Sequence, residues 1–322
     1  MTDFIGQRTV TLFGGTGFVG RYVTQLLAHH GWRIIVASRH PDRALPLKTA
    51  GVVGQVVPVF ADVRDDASVA AAVAGADAVI NLVGILYERG KQRFDAIHAE
   101  AAGRVARAAA AAGARHLVHV SAIGASADSP SAYARTKAAG EAAVRAAFPG
   151  ASILRPSVIF GPEDGFFNLF ATLARTAPFL PLFGGGTTRF QPVYARDVAQ
   201  AVLACLEREG AAGQTYELGG PRVYTLREIM QLTLQQTGRK KRLVSLSWGM
   251  AAFEAKLLGL LPKPPLTSDQ VAQLKIDNVV SPGAKTLADL GIQPTPAELI
   301  LPSYLDRYRP GGRFGSGSHR VA

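Results

Sequence analysis

The chain has 322 residues, 48% of them hydrophobic and 18% charged, which excludes a disordered polymer and allows one large domain with an appended lobe, or two domains. A formal charge of +11 leaves two readings open: a solvated basic surface, or an acidic partner such as a nucleotide phosphate, an anionic membrane surface or an acidic protein. Nucleic acid is not expected, because no basic–aromatic stripe or binding module is present; the single cysteine, Cys205, excludes an intrachain disulfide or cysteine zinc site, and no metal is expected.

The N-terminal "MTDFIGQR" has an acidic residue and no apolar secretory core, so no export signal is expected. Strand-like runs follow at Thr9–Phe13, Arg33–Ala37, Val56–Val59, Ala78–Leu82, Leu117–Val120 and Ser152–Leu154. Alanine-rich helical stretches such as Arg21–Ala28 and His98–Ala112 lie between them. This alternation predicts an α/β fold, a Rossmann-type doubly wound parallel sheet. The weakly charged stretch Ser68–Tyr87 is split by Gly75 and reads as a buried helix and strand, not a membrane span.

After Gly161 the composition turns to aromatics, prolines and glycines, which predicts a smaller mixed C-terminal lobe. The expected division is a dinucleotide-binding domain over 1–160, a lobe over 161–308 and a flexible or partner-ordered Gly/Ser-rich tail over 309–322. Parts of 190–235, including the helical Ala195–Arg208 and the strand-like Thr215–Leu218, return to the sheet. Cys205, in that helix, reads as a core residue. Later come the basic run Arg239–Arg242 and "WGMAAFEAKLLGLL", which puts Met250, Phe253, Leu257 and Leu261 on one helical face with Trp248 at its edge. Segment 248–281 is either membrane- or partner-facing, or its helix belongs to the lobe's core.

The sharpest motif is Gly14-x-x-Gly17-x-x-Gly20, between the first strand and a helix. The first glycine permits the tight turn, the second lets backbone approach a pyrophosphate, and the third permits close helix–sheet packing. Thr16, Phe18 and Val19 complete this phosphate-binding turn, whose helix N–H groups favour an anion. The second strand ends at Ser38-Arg39, where an NAD site has a carboxylate for the ribose 2′-hydroxyl. A guanidinium there suits a 2′-phosphate, so NADP(H) is favoured over NAD(H) unless Arg39 is only a surface arginine. Asp62 and Val63 follow the third strand, where a carboxylate can meet the adenine amino group. Asn81, Val83 and Gly84 end the fourth, where small residues admit backbone contact with the cofactor.

Tyr133 and Lys137 are four apart and share a helix face. An ammonium near a phenol can lower its pKa and can also hold a ribose hydroxyl, which makes the phenol a candidate acid or base. With "GGTGFVG", "YARTK", "RPSVIFGP" and "QPVYARDVAQAV" the chain resembles the extended short-chain dehydrogenase/reductases over residues 8 to 235. That resemblance implies that Tyr133 and Lys137 match the family's catalytic pair. It also implies that Arg155 and Pro156 through Val158 to Pro162 line the nicotinamide end, and that Ser121 is the first serine of a run past the fifth strand. Here Ala122 and Ile123 follow it, so the hydroxyl that polarises a substrate carbonyl is missing, with Ser126 the nearest substitute.

The stretch "LPKPPLTSDQVAQLKIDNVVS", with "SAYARTKAAGE" and "FQPVYARDVA", is similar to the dinucleotide-binding accessory subunit family of respiratory complex I and its bacterial relatives. The family implies tightly held NADPH (or NADP+) without established turnover, in contact with complex I core subunits. It implies a stabilising role on the peripheral arm near the quinone region and the membrane surface. In a bacterium that is a peripheral place on the cytoplasmic, matrix-equivalent face of the inner membrane. Three readings stand: an accessory subunit, an active NADP-dependent reductase or epimerase using Tyr133 and Lys137, and a nucleotide sensor.

Overall fold

Six apolar runs become strands β1 (Thr9–Phe13), β2 (Arg33–Ser38), β3 (Val56–Phe60), β4 (Ala78–Asn81), β5 (His116–Val120) and β6 (Ser152–Pro156) in the computed structural model, which describes residues 8–258 and 266–312. With Thr215–Leu218 they form a seven-stranded sheet in the order Thr215–Leu218, β6, β5, β4, β1, β2, β3. Every pairing is parallel. Val10, Leu12, Ile34, Val36, Val79 and Ile80 are all buried, as strands covered on both faces require. The doubly wound sheet of the Rossmann type is thus the observed fold. Pro58 lies on β3, an edge strand, where a sheet tolerates proline.

The crossover helices are α1 (Phe18–His29), α2 (Asp66–Val73), α3 (Ala101–Ala111) and α4 (Ala132–Ala147). α1 buries Gly20, Val23, Thr24, Leu27 and Ala28, an i, i+3/i+4 stripe. Asp65 caps α2 by accepting the Ser68 N–H, and Ser131 caps α4 by accepting the Ala134 N–H. A π-helical turn, Asp95–Glu100, leads into α3. Cys205 is buried in the helix Ala195–Glu207; burial pushes its thiol up to about 12, so it is an inert core residue.

The chain divides into two units. The first comprises the described residues up to Pro156, with Ala195–Leu218 and Ser281–Gln293. The last of these pieces comes from the region expected in the smaller lobe. It attaches through backbone: the Glu217 N–H donates to the Lys285 carbonyl at 2.8 Å, and the Ser281 N–H donates to the Glu217 carboxylate at 2.8 Å.

The second unit comprises Ser157–Tyr194, Gly219–Val280 and the described residues from Pro294. It is mixed: Phe179–Phe183 pairs in parallel with Arg242–Leu246, and Arg189–Phe190 antiparallel with Tyr224–Thr225. Phe160, Phe167, Leu180, Ile229 and Leu301 belong to its core. In the basic run, Arg239 and Lys241 donate to the carbonyls of Tyr308 and Ala177. The helix Trp248–Leu258 turns Ala251 and Ala255 into a small core with Phe183 and Val271. Met250 and Phe253 are 57% and 73% exposed. Met250 and Phe253 therefore face outward, while Trp248 packs against the small core that Ala251 and Ala255 enter. Leu261, the Leu257 side chain and residues 313–322 of the expected flexible tail lie outside the described residues. Among the described residues no helix is long and apolar enough to cross a membrane.

Candidate functional site

The sheet gathers the expected nucleotide residues of the first unit at the carboxyl ends of its strands, where open α/β sheets take ligands. After β1, Gly14 adopts a φ of +83°, which favours glycine, and a Cβ on it would sit 3.1 Å from the backbone of Leu82 after β4. Gly17 is the N-cap of α1 and makes no side-chain cap, and no acidic residue stands in the first turn. The first-turn N–H groups, starting at Phe18 and Val19 after Thr16 and Gly17, could therefore take an anionic ligand. A Cβ on Gly20 would lie 2.4 Å from the Gly14 carbonyl oxygen and 2.6 Å from the Gly15 Cα. Gly20→Ala is expected to displace the turn, destabilise the fold by ~1–3 kcal/mol and strip most bound nucleotide, read by thermal melting and nucleotide content after purification.

Ser38 ends β2 and Arg39 follows it; the Ser38 hydroxyl bonds within the His40 turn and Arg39 is exposed. Past β3, Asp62 meets Arg64: the guanidinium donates to both carboxylate oxygens at 3.0 and 2.6 Å, and the Arg64 N–H donates as well. That hydrogen bonding holds the Asp62 carboxyl down at about 2, with Arg39 adding a smaller pull. The carboxylate assigned to the adenine edge thus already has a cationic partner, which the sequence reading did not include. Val63 beside it is buried, and its carbonyl accepts from Arg104.

The opposite end of the site is built on α4. Lys137 is buried, and its Nζ donates to the Val120 carbonyl at 3.2 Å and lies 5.9 Å from the Tyr133 ring centre. Burial pushes this ammonium down to about 8, with Glu141 opposing the shift. A Cβ on Gly84 would lie 3.4 Å from Lys137 Nζ, so the loop after β4 abuts the ammonium. Asn81 is buried; its Oδ1 accepts the Val83 N–H at 3.0 Å.

Two histidines that sequence reasoning did not single out complete this end. His98 Nε2 accepts the Ile85 N–H at 3.0 Å, which leaves the proton on Nδ1, 3.2 Å from Thr136 Oγ1. Its ring stacks on Phe94 and meets Tyr133 edge-on, with centroids 5.3 and 5.1 Å away. His119 Nδ1 faces Asn81 Nδ2 at 3.3 Å. An amide nitrogen only donates, so the His119 proton is on Nε2. Burial, reinforced by Lys137, pushes both imidazoles down to about 3.

Among the described residues His119 Nε2 and Ser121 Oγ are buried without a hydrogen-bond partner. Unpaired buried polar atoms cost ~1–3 kcal/mol each. Beside an ammonium with donors left over, they fit the polar nicotinamide-ribose end of a dinucleotide. Ser121, Tyr133 and Lys137 would hold that end and the α1 turn the pyrophosphate. Past Ser121, Ala122 and buried Ile123 carry no hydroxyl, and Ser126 is an exposed loop residue accepting the Asp128 N–H.

Arg155, expected at the nicotinamide end, instead forms a charged triad. It donates to buried Glu141 at 2.9 and 2.7 Å and stands 3.5 Å from buried Glu217. Glu141 lies one turn beyond Lys137 on α4, a spacing visible in the sequence; the Arg155 partnership is tertiary. Pro156 closes β6, its carbonyl accepting the Ile123 N–H, while Val158 belongs to the second unit and bonds Asn278.

The description "NAD dependent epimerase/dehydratase family" matches residues 10–219. The chain is 40% identical over 319 residues to the mitochondrial NADH dehydrogenase [ubiquinone] 1 alpha subcomplex subunit 9 of Arabidopsis thaliana, covering 95% of this chain and 79% of that protein. It is 35% identical over 247 residues to a ceramide reductase of Caulobacter vibrioides, covering 76% of this chain and 75% of that one. The fold matches an NADPH-dependent quinone oxidoreductase of Escherichia coli, solved with NADPH, at a TM-score of 0.71 and 21% identity over 92% of this chain and 98% of that one. The glycine turn and the Tyr133–Lys137 pair thus sit in a chain that belongs to the NAD dependent epimerase/dehydratase family, in its branch of respiratory complex I accessory subunits.

Proposed function

We propose that the chain is an NADP(H)-binding accessory subunit of respiratory complex I that steadies the peripheral arm near the quinone and membrane region without turning its nucleotide over. Its place would be peripheral, on the cytoplasmic, matrix-equivalent face of a bacterial inner membrane, against the core subunits. The observation that supports this reading is a glycine turn suited to a pyrophosphate, combined with Ala122 and Ile123 where carbonyl chemistry needs a hydroxyl. Identity to the plant subunit over most of both chains supports the partner, and Arg39 at the end of β2 supports the 2′-phosphate. The exposed Met250 and Phe253, in a chain of charge +11, support a contact with a subunit or anionic lipid. A ligand held only by the native state stabilises it by ~4 kcal/mol at a thousandfold excess over its dissociation constant.

A second reading, an NADP-dependent reductase or epimerase, is favoured by the retained Tyr133 and Lys137 and by the Caulobacter enzyme. Bound nucleotide supplies or accepts hydride in such chemistry. Tyr133 would move the proton, and Lys137 would hold the ribose. The missing polarising donor would cost such a reaction ~100- to 1000-fold.

Purification from gently solubilised membranes is expected to recover the chain with complex I and with NADPH bound. Tyr133→Phe is expected to leave the association with complex I unchanged. A free chain that oxidises NADPH with a carbonyl substrate, and stops doing so on Tyr133→Phe, would sink the accessory reading.

A further inference from the structure

Arg39 does not stand alone at the end of β2. In the amide orientation its neighbours dictate, the Gln92 side-chain carbonyl accepts from both terminal nitrogens of Arg39, at 2.7 and 2.8 Å. Gln92 is itself fixed. Arg89 and Gln92 exchange both backbone hydrogen bonds at 2.9 Å, and Gly90 between them has a φ of +54°, in the left-handed region. The next residues anchor this hairpin to the site. The Phe94 N–H donates to the Glu88 carboxylate at 2.8 Å, and buried Phe94 stacks on His98.

We infer that Gln92 is a specificity-determining residue: it braces the Arg39 guanidinium for the adenosine 2′-phosphate of NADP(H) without cancelling its charge. The inference rests on the NADP(H) reading above. Its physical basis is the choice of acceptor. A guanidinium has five N–H donors, and one oxygen gripping the two terminal nitrogens takes only two of them. The Nε–H and the remaining terminal N–H groups stay available to a phosphate, which Arg binds best through paired donors. A carboxylate at position 92 would hold the same geometry but neutralise the cation and repel the phosphate. Asp62, the acid whose titration feels Arg39, does not do so, because both its oxygens engage Arg64. The brace also removes rotamer freedom from an exposed, flexible side chain before the ligand arrives.

The test is equilibrium titration of the full chain, stripped of nucleotide, with NADPH and with NADH, followed by nicotinamide fluorescence. Wild type is expected to prefer NADPH. Gln92→Met keeps size and removes the carbonyl; it is expected to weaken NADPH about 5-fold and leave NADH unchanged. Gln92→Glu is expected to weaken NADPH about 30-fold, again with little effect on NADH. In an Arg39→Ala background neither Gln92 change should alter the ratio further. Equal losses for both nucleotides, or an effect that persists without Arg39, would show that Gln92 only supports the hairpin and would defeat the inference. Wild-type preference for NADPH with no response at Gln92 defeats the inference and leaves the NADP(H) reading standing. A wild type that binds both nucleotides equally removes both.

Discussion

Arg155→Leu is expected to lower the unfolding free energy by about 3–5 kcal/mol, with the fold of the soluble fraction otherwise retained. The reason is the company Arg155 keeps. Its guanidinium makes two hydrogen bonds to Glu141 and stands within ion-pair distance of Glu217, whose side chains are only 6% and 9% exposed. Leucine would leave two carboxylates inside the first unit without their cation. Removing one member of a buried charge cluster strands the others, and the desolvation already incurred is no longer offset. The cluster also joins α4, β6, the strand Thr215–Leu218 and the returning segment at Ser281, so the loss reaches four parts of the chain. Adding Glu141→Gln and Glu217→Gln should recover much of the stability, since amides are cheaper to bury than unpaired carboxylates. Urea midpoints of the single and triple variants test this. Equal midpoints for Arg155→Leu and wild type would mean that the triad is solvated in solution.

Acidification from pH 7 to pH 5 is expected to remove about 4 kcal/mol of stability, through His98 and His119 together. Both are buried and neutral in the native protein, protonating only near pH 3, whereas an unfolded histidine protonates near 6.5. Between those values the unfolded chain binds more protons, so falling pH favours unfolding. Stability is fully present above pH 6.5 and is lost progressively down to about pH 3. Each histidine accounts for about 2 kcal/mol by pH 5. Carboxylates with lowered pKa, such as Asp62, act at lower pH, which leaves the window from 6.5 to 5 to the histidines, and His116, partly buried and lowered chiefly by burial, adds to the loss with the same sign. His119→Gln should remove a large part of the slope there. Chemical denaturation at pH 7, 6 and 5 makes the measurement, and a flat profile would place both rings in solvent.

Much of the fold was legible because its signals are local. Strand runs, the glycine turn and the helix Ala195–Glu207 each fall where nearby residues dictate them. Gly20 was readable because the turn–helix motif demands a missing Cβ at that position. His98, His119 and Gln92 were not readable as site residues. Their partners, Ile85, Asn81 and Arg39, are brought to them by the crossovers, and no spacing in the chain announces those contacts. The helix Trp248–Leu258 shows a different limit. Periodicity identifies an apolar face but not the direction it points. Here the alanines admit close approach to Phe183 and Val271, while Met250 and Phe253 turn outward.

The first unit's three pieces carry a consequence for how the protein is made. Every glycine of the nucleotide turn has left the ribosome long before Lys285 can cover the outer strand Thr215–Leu218. Until residues 281–293 emerge, that strand offers an open edge to other nascent chains, and Glu217 lacks its bond from Ser281. The sheet is therefore closed only after residues 281–293 have followed, and chaperones would meet this chain with its glycine turn already made and its sheet unfinished.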